Sequence, residues 1–355
     1  MSKFLTIALM ISLSGCGSLS YYHQAIRGHW GLMSQRIEID ELIATADTDR
    51  ELKRKLLLVS AARDFASDEL HLPDNDSYRS YADLGREYVV WNVFATGELS
   101  LEPVSSCFIL VGCLSYRGFF DPAKARTHAN TLKSAGHEVF VGGVAAYSTL
   151  GWFDDPVLNT MLIWDDVRIV EVIFHELAHQ LLYAKNDSVF NESFATIVAD
   201  IGVERWLQSR QGSTSEYKTR KARREQFNEL LLRYRSVLDA VYKGAQTDAL
   251  KRVAKPAVFN DLLADYATLK HGWGNYSGYD GWMNADLNNA KIASIATYHD
   301  YVPALRKVLI DVDGDLTRFY AIAKSLASVS QIRRQQCLSS SRSGASCAHE
   351  LSSAD

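Results

Sequence analysis

The sequence lacks the features that mark several large classes of protein. After the N-terminal segment, no apolar run approaches the roughly eighteen residues that a membrane-spanning helix needs. The formal net charge is only −4, which gives no reason to expect binding to nucleic acid. No internal repeat is present. The 355 residues, 47% hydrophobic and 23% charged, therefore predict an ordinary globular protein with one large domain or two closely packed subdomains.

The N-terminal segment has the pattern of an export signal. A lysine precedes a short apolar run from Phe4 to Leu13, which is too short for a transmembrane helix. The tetrad Leu-Ser-Gly-Cys that ends at Cys16 resembles a bacterial lipobox, in which the cysteine becomes the lipidated first residue of the mature chain. We therefore expect residues 1–15 to be a signal peptide and Cys16 to anchor the protein to a membrane. Gly17 implies sorting to the outer membrane, with the protein facing the periplasm.

Cysteine is scarce, and only four cysteines remain after Cys16. An exported protein can form disulfides, and four cysteines allow about three pairings. The simplest is local, Cys107 with Cys113 and Cys337 with Cys347. Cys107 and Cys113 lie in a strand-like run, so their pairing requires a turn, which we place near Val111 and Gly112. No histidine cluster accompanies these cysteines, which argues against a second zinc site.

The most informative segment is Phe-His-Glu-Leu-Ala-His, from Phe174 to His179. Residues four apart on a helix share one face, so His175 and His179 can bind one Zn²⁺. Glu176 would then be angled toward a metal-bound water, whose pKa zinc lowers from about 15.7 to about 7. Capping aspartates and an apolar stripe from Asp165 onward predict that this segment is helical. We therefore expect a zinc site with Glu176 as general base.

A catalytic zinc site takes three protein ligands and keeps one position open. The turn from Lys185 to Ser188 should end the first helix, and a second helix should then carry Glu192. A short connection makes the two helices antiparallel neighbours, so Glu192 can reach the histidines. The alternative is that Glu192 is only a favourable acid in a first helical turn. Asp187 suits the N-cap role better, and Asp200 or Asn191 are candidates to orient an imidazole.

These elements resemble the gluzincin metallopeptidases, whose third ligand lies in an N-E-x-F-A element such as Asn191–Ala195. Twelve residues separate His179 from Glu192, which is fewer than gluzincins usually have. The mature chain resembles more closely a family of bacterial lipoproteins predicted to be aminopeptidases. Besides the zinc helices, the matching segments are Cys107–Phe120, Val144–Pro156 and Asn289–Pro303. The resemblance implies a peptidase that uses one zinc ion.

The resemblance also implies where a peptide substrate would bind. In gluzincins, an edge strand before the zinc helix pairs with the substrate backbone, and residues 142–149, including Tyr147, are in that position. A buried strand and turn would give the same pattern. An aminopeptidase needs an acid for the substrate's α-ammonium group, and Asp154 and Asp155 are candidates by position.

A peptidase further needs a donor for the negative charge that develops on the substrate carbonyl oxygen. Gluzincins often use a tyrosine or histidine that follows the metal ligands. Tyr298 is our candidate, and His299 and Tyr301 in the same segment are alternatives. A glycine-rich loop supplies three further alternatives, His271, Tyr276 and Tyr279.

Hydrophobic periodicity predicts an α+β fold, predominantly helical, with a small mixed sheet before the zinc helix. The resemblance to gluzincins implies that this fold is zincin-like. Residues 16–335 should form the metallopeptidase domain, with a strand-rich part up to residue 156 and a helical part from residue 157. Within it, a helix is expected from Pro122 to Ala135 and a strand from Glu138 to Val144. Residues 336–355 should form a serine-rich tail.

Two functions are consistent with these patterns. The first is a membrane-tethered zinc metallopeptidase acting on peptide substrates, and the alternative is an envelope lipoprotein whose zinc is structural and which serves as a binding or assembly factor. Glu176 favours the first, because a structural site has no use for a general base.

Overall fold

The computed structural model describes residue 21 and residues 24–108, 112–149, 151–284, 286–295 and 301–339. This part of the chain is mostly helical and contains three small sheets, so the predicted α+β class is confirmed. No helix in it is both long and apolar enough to cross a membrane. Cys16, Tyr298 and Cys347 lie outside the described residues.

The helices, in chain order, are α1 (24–33), α2 (Ile39–Ala44), α3 (Arg50–Asp68), α4 (Pro122–Ser134), α5 (Asp166–Leu181), α6 (Ser188–Ser209), α7 (Ser215–Lys243), α8 (Asp248–Gly272), α9 (Asp280–Asn284), α10 (Asn289–Ile295), α11 (Val302–Asp311), α12 (Leu316–Ser328) and α13 (Gln331–Ser339). Several begin where the sequence offers an aspartate cap. Asp49, Asp121 and Asp165 each accept a hydrogen bond from a backbone N–H of the first turn that follows. The helix bounds therefore follow local sequence signals closely.

The strands are short: β1 (Ile37–Glu38), β2 (Ser80–Ala82), β3 (Val90–Thr96), β4 (Ser106–Phe108), β5 (Gly112–Leu114), β6 (Arg117–Phe119), β7 (Glu138–Val144) and β8 (Val157–Leu158). In one sheet β3 lies between β6 and β7 and is antiparallel to both. In a second, β2 pairs antiparallel with β1 and parallel with β8. Strand β7 has the bounds that the sequence predicts, and it lies at an edge of its sheet among the described residues.

Strands β4 and β5 form an antiparallel pair in which Cys107 lies opposite Cys113. The two cysteines form a disulfide with an S–S distance of 2.00 Å. The predicted pairing of Cys107 with Cys113 is thus present, while Val111 of the predicted turn lies outside the described residues. Cys337 is also disulfide-bonded, and its predicted partner Cys347 lies outside the described residues.

The largest core joins α3, α5, α6, α11 and α12. Its centre holds fully buried aromatic rings on three of these helices, Phe174, Phe190, Phe194 and Phe319. A second core packs α7, α8 and α10 together, and a third packs α4 against the sheet formed by β3, β6 and β7. Burial of the apolar stripe of α5 in the main core fixes which face of that helix remains available for polar side chains.

Arg334 ties α13 to the beginning of α6. Its Nε donates to Oδ2 of Asp187 at 2.8 Å, and its Nη1 donates to the carbonyl oxygens of Leu326 at 2.8 Å and Ala327 at 3.1 Å. The side chains of Arg334 and Asp187 are only 3% and 1% exposed. Asp187 also caps α6 by accepting a hydrogen bond from the backbone N–H of Phe190. One buried ion pair thus holds the C-terminal helix against the helix that carries Glu192.

Replacement of Arg334 by alanine should lower the free energy of unfolding by about 3–5 kcal/mol, because it leaves the Asp187 carboxylate buried without a cation. The matched control is Arg333→Ala, which removes the exposed neighbouring arginine and should cost no more than about 0.5 kcal/mol. Urea unfolding followed by circular dichroism measures both. Equal unfolding midpoints for the two variants would contradict this account of the ion pair.

Candidate metal centre

Helix α5 positions His175 and His179 on one side, one turn apart. Asp165 caps the helix by accepting a hydrogen bond from the backbone N–H of Arg168 at 3.0 Å. The apolar residues of the stripe, among them Phe174 and Leu177, are fully buried in the main core. The histidines therefore lie on the face that borders this core, with His179 buried and His175 half-buried.

The connection from α5 to α6 is short and is held by Asn191. The side chain of Asn191 accepts a hydrogen bond from the backbone N–H of Ala184 at 2.7 Å and donates one to its carbonyl oxygen at 2.8 Å. Both residues are buried. Asp187 has the N-cap role that the sequence predicts. Because Asn191 is fixed in this way, the side chain of Glu192 is directed toward α5.

His175, His179 and Glu192 converge on one point. The two Nε2 atoms are 3.2 Å apart, and Oε2 of Glu192 lies 3.2 Å from Nε2 of His175. Oε1 of Glu192 lies 3.6 Å from Nε2 of His179. Tetrahedral ligands bonded to zinc at about 2.0–2.2 Å are separated by roughly 3.3–3.6 Å. The donor set and its spacing therefore fit a single zinc ion with one open position.

The charges at this cluster also fit a cation. Burial alone would raise the pKa of Glu192, but hydrogen bonds to His175 and His179 outweigh it and hold the pKa well below its usual range. Burial alone would lower the pKa of His179, but Glu192 outweighs it and raises that pKa. Among the described residues, no lysine or arginine pairs with Glu192. The two imidazoles are its ion-pair partners in this part of the chain.

Glu176 lies beside the cluster on the same helix and is half-buried. It has no hydrogen bond or ion pair within the described part of the chain. Its negative charge acts on its buried neighbours: among them, it adds to the larger effect of burial in raising the pKa of Tyr78 and Asp155. Glu176 is therefore a carboxylate without a cationic partner at the edge of three converging ligand atoms.

Asp154 and Asp155 are adjacent in sequence but have different environments. Asp155 is 0% exposed, and its carboxylate accepts hydrogen bonds from the backbone N–H of Thr149 at 2.7 Å and from its hydroxyl at 2.9 Å. Burial raises the pKa of Asp155 to about 6. Asp154 is exposed, and its carbonyl oxygen accepts a hydrogen bond from Arg36. Asp155 holds a turn together, whereas the Asp154 carboxylate faces solvent.

Three further candidates from the sequence, Tyr147, Asp200 and Asn191, do not hydrogen-bond to His175 or His179 in the described structure. Tyr147 is partly buried, with its ring 5.3 Å from that of Phe120 and 6.1 Å from that of His29. No contact joins Tyr147 to His175, His179 or Glu192 in the described structure. Asp200 and Asn191, considered for orienting an imidazole, do not hydrogen-bond to either histidine. The Nδ1 atom of His179 is buried without a hydrogen-bond partner.

Two tyrosines that the sequence does not single out lie near the cluster. Tyr78 is 1% exposed, has a φ angle of +63°, and donates its backbone N–H to the carbonyl oxygen of Asp155 at 2.7 Å. Burial, and then the charge of Glu192, raise the pKa of Tyr116 to about 12. A positive φ is uncommon for an aromatic residue and is found where the surrounding structure imposes it. Tyr116 falls inside the family-like segment Cys107–Phe120, but no pattern in the sequence indicates Tyr78.

Residues 20–338 match the model of a family described as "Putative aminopeptidase". The chain belongs to this family. The match spans α5 and α6 with all three converging residues, and the family description indicates peptidase function. Searches of the curated proteins and of the solved structures found no match.

A buried ionic cluster supports α5 one turn before the histidines. Glu171 accepts hydrogen bonds from Arg224 at 2.6 Å and from Arg168 at 2.7 Å, and its side chain is 5% exposed. Asp200 on α6 pairs with Lys221 at 2.7 Å and with Arg224 at 3.3 Å. Burial alone would raise the pKa of Glu171, but the two arginines outweigh it and lower the pKa to about 2. Both acids of this cluster therefore have basic ion-pair partners, whereas Glu176 has none among the described residues.

This pairing should make stability depend on acid pH. The folded-state pKa of Glu171 lies below its unfolded value of about 4.5, so its contribution is complete above pH 4.5 and is lost as pH falls toward 2. A shift of this size is worth about 3 kcal/mol. Glu171→Gln should therefore be less stable than the native protein by about that amount at pH 7, and the difference should shrink below about pH 4.5.

Urea unfolding at several pH values between 7 and 3 measures this difference. The control is Glu229→Gln, which removes an exposed carboxylate that has no ion pair in the described structure. A difference between Glu171→Gln and the native protein that stays constant across this range would contradict the assignment.

Proposed function

We propose that this protein is a membrane-tethered zinc metallopeptidase, most consistent with an aminopeptidase. His175, His179 and Glu192 would hold one Zn²⁺, and Glu176 would act as general base. The observation that carries the proposal is the convergence of two imidazole nitrogens and one carboxylate beside an unpaired glutamate. Membership of a family described as aminopeptidases supports the same reaction class.

When bound, the zinc ion supplies a Lewis acid for the scissile carbonyl and lowers the pKa of the attacking water. The Glu176 carboxylate accepts a proton from that water and delivers it to the leaving amine. Glu192 and the two histidines fix the position of the reaction relative to Glu176. In the described part of the chain no fourth acidic, histidine or cysteine side chain joins this group, which supports an open coordination position rather than a closed structural site.

The surroundings support a zincin-like arrangement. Helices α5 and α6 pack closely, and β7 lies at a sheet edge before α5 in the sequence. That edge is our candidate for pairing with a substrate backbone, with Tyr147 in the segment that follows. Asp154 is our candidate for the α-ammonium group because its carboxylate faces solvent. Tyr298 stays the candidate donor to the developing oxyanion.

The location of the protein is part of the proposal. Lipidation of Cys16 after removal of residues 1–15 would tether the domain to a membrane, and the sorting signal favours the outer membrane facing the periplasm. A metallopeptidase in this position would act on peptides that enter the envelope. The alternative, an assembly factor with structural zinc, leaves the unpaired carboxylate of Glu176 without a role.

Glu176→Gln should keep a full equivalent of zinc and lose hydrolysis by at least about 100-fold, because the amide cannot accept the proton of the attacking water. Zinc content is measured by atomic emission after gel filtration. Hydrolysis is measured with amino-acid amides and with N-blocked peptides, and cleavage of the unblocked substrates alone would support an aminopeptidase. Native activity in the zinc-loaded variant would exclude Glu176 as the base.

Glu192→Ala should lose zinc, because two imidazoles alone do not complete the site. Glu204→Ala is a matched control on the same helix, since both glutamate side chains are 24% exposed and Glu204 pairs with Lys221 at 3.7 Å. This control should keep about one zinc per chain. Unchanged zinc stoichiometry in Glu192→Ala would show that another residue is the third ligand.

A further inference from the structure

Residues 149 and 151–155 belong to a turn that is held by hydrogen bonds among them. The hydroxyl of Thr149 accepts from the backbone N–H of Phe153 at 3.1 Å, and its carbonyl oxygen accepts from that of Trp152 at 3.2 Å. The buried carboxylate of Asp155 holds Thr149 from the other end. Gly151 has a φ angle of +80°, which favours glycine. These contacts hold the residues between Gly151 and Asp155 in one conformation.

This turn lies along the face of α5 that carries Glu176. A Cβ on Gly151 would lie 3.5 Å from the side chain of Gln180, which is one helical turn after Glu176 on the same face. At the other end of the turn, burial raises the pKa of Asp155, and the charge of Glu176 adds to that effect. The Gly151 end of the turn therefore lies against the helix that carries the proposed general base, one helical turn after it.

Two aromatic side chains project from this part of the turn. Trp152 is 85% exposed and Phe153 is 49% exposed. The ring of Phe153 packs against the ring of His29, with 4.6 Å between the ring centroids, whereas Trp152 projects into solvent. Two adjacent exposed aromatic side chains on a held turn offer a large apolar contact area beside the helix that carries the proposed base.

We propose that Trp152 and Phe153 form the surface that selects the substrate, and that they bind a large apolar or aromatic side chain of the peptide next to the scissile bond. This inference rests on the proposed function and specifies its substrate class. An indole has only two side-chain torsions, so it can stack on an aromatic side chain or cover an aliphatic one at a small cost in conformational freedom. Peptides with phenylalanine or leucine at that position should therefore be preferred over those with alanine, lysine or glutamate.

The first test is the selectivity of hydrolysis. Substrates share one scaffold and differ in a single residue: phenylalanine, leucine, alanine, lysine or glutamate. In Trp152→Ala, the ratio of kcat/KM for phenylalanine to that for alanine should fall by about tenfold or more, since apolar contacts of this size are worth about 10- to 200-fold in selectivity. Trp152→Phe should retain most of the ratio. Val253→Ala, which removes a side chain that is 75% exposed on α8, should leave it unchanged.

The second test measures binding without turnover. Calorimetric titration of zinc-loaded Glu176→Gln with the phenylalanine and alanine peptides gives their affinities. In the double variant that also carries Trp152→Ala, the affinity for the phenylalanine peptide should fall selectively. Selective binding through Trp152 without any hydrolysis by the native protein would overturn the proposed function and support this inference.

Two results would overturn the inference. One is an unchanged phenylalanine-to-alanine ratio in Trp152→Ala, and the other is an equal loss for all five substrates, which would indicate a purely structural turn. If the ratio is unchanged and Trp152→Ala binds more weakly to vesicles of phosphatidylethanolamine and phosphatidylglycerol, the aromatic pair is assigned to a membrane surface instead.

Discussion

The candidate metal centre depends on two hydrogen bonds between the side chain of Asn191 and the backbone of Ala184. They close the connection between α5 and α6 and so fix where α6 begins. Each residue of a helix is rotated by about 100° from the one before it. If α6 began one residue earlier or later, the carboxylate of Glu192 would be directed away from His175 and His179. The short connection leaves little freedom to correct such a shift, which makes the Asn191 contacts a structural requirement of the cluster.

The charges of α5 are distributed unequally around the helix. Glu171 is paired with arginines and joins α5 to α7 through a buried ionic cluster. In contrast, Glu176 has no lysine or arginine ion-pair partner among the described residues, and the partners of Glu192 there are the imidazoles of His175 and His179. Partly buried carboxylates without a lysine or arginine partner are unfavourable, because burial penalises each charge. A divalent cation at the ligand cluster would offset both charges, which agrees with the donor set.

The sequence predicted those features of the fold and site that depend on residues close together in the chain. Helical periodicity and aspartate caps located α5, and the short connection correctly suggested that Glu192 lies near the histidines. Strand β7 was also predicted with its observed bounds. In contrast, Asp154 and Asp155 were equivalent in sequence, and only tertiary packing separates the exposed carboxylate from the buried one. The positive φ of Tyr78 likewise depends on contacts with residues more than seventy positions away, which no local pattern contains.

The turn of residues 149–155 connects the chemistry of the site to its selectivity. Asp155 is fixed by Thr149 at one end of the turn, and its backbone carbonyl holds the strained residue Tyr78. Asp155 and Tyr78 are buried, whereas Trp152 in the same turn is exposed. A single short segment therefore contributes to the surroundings of the proposed base and carries the proposed aromatic surface. Because its hydrogen bonds hold the backbone of the turn, the ordering that a bound peptide requires here is mainly that of the Trp152 side chain.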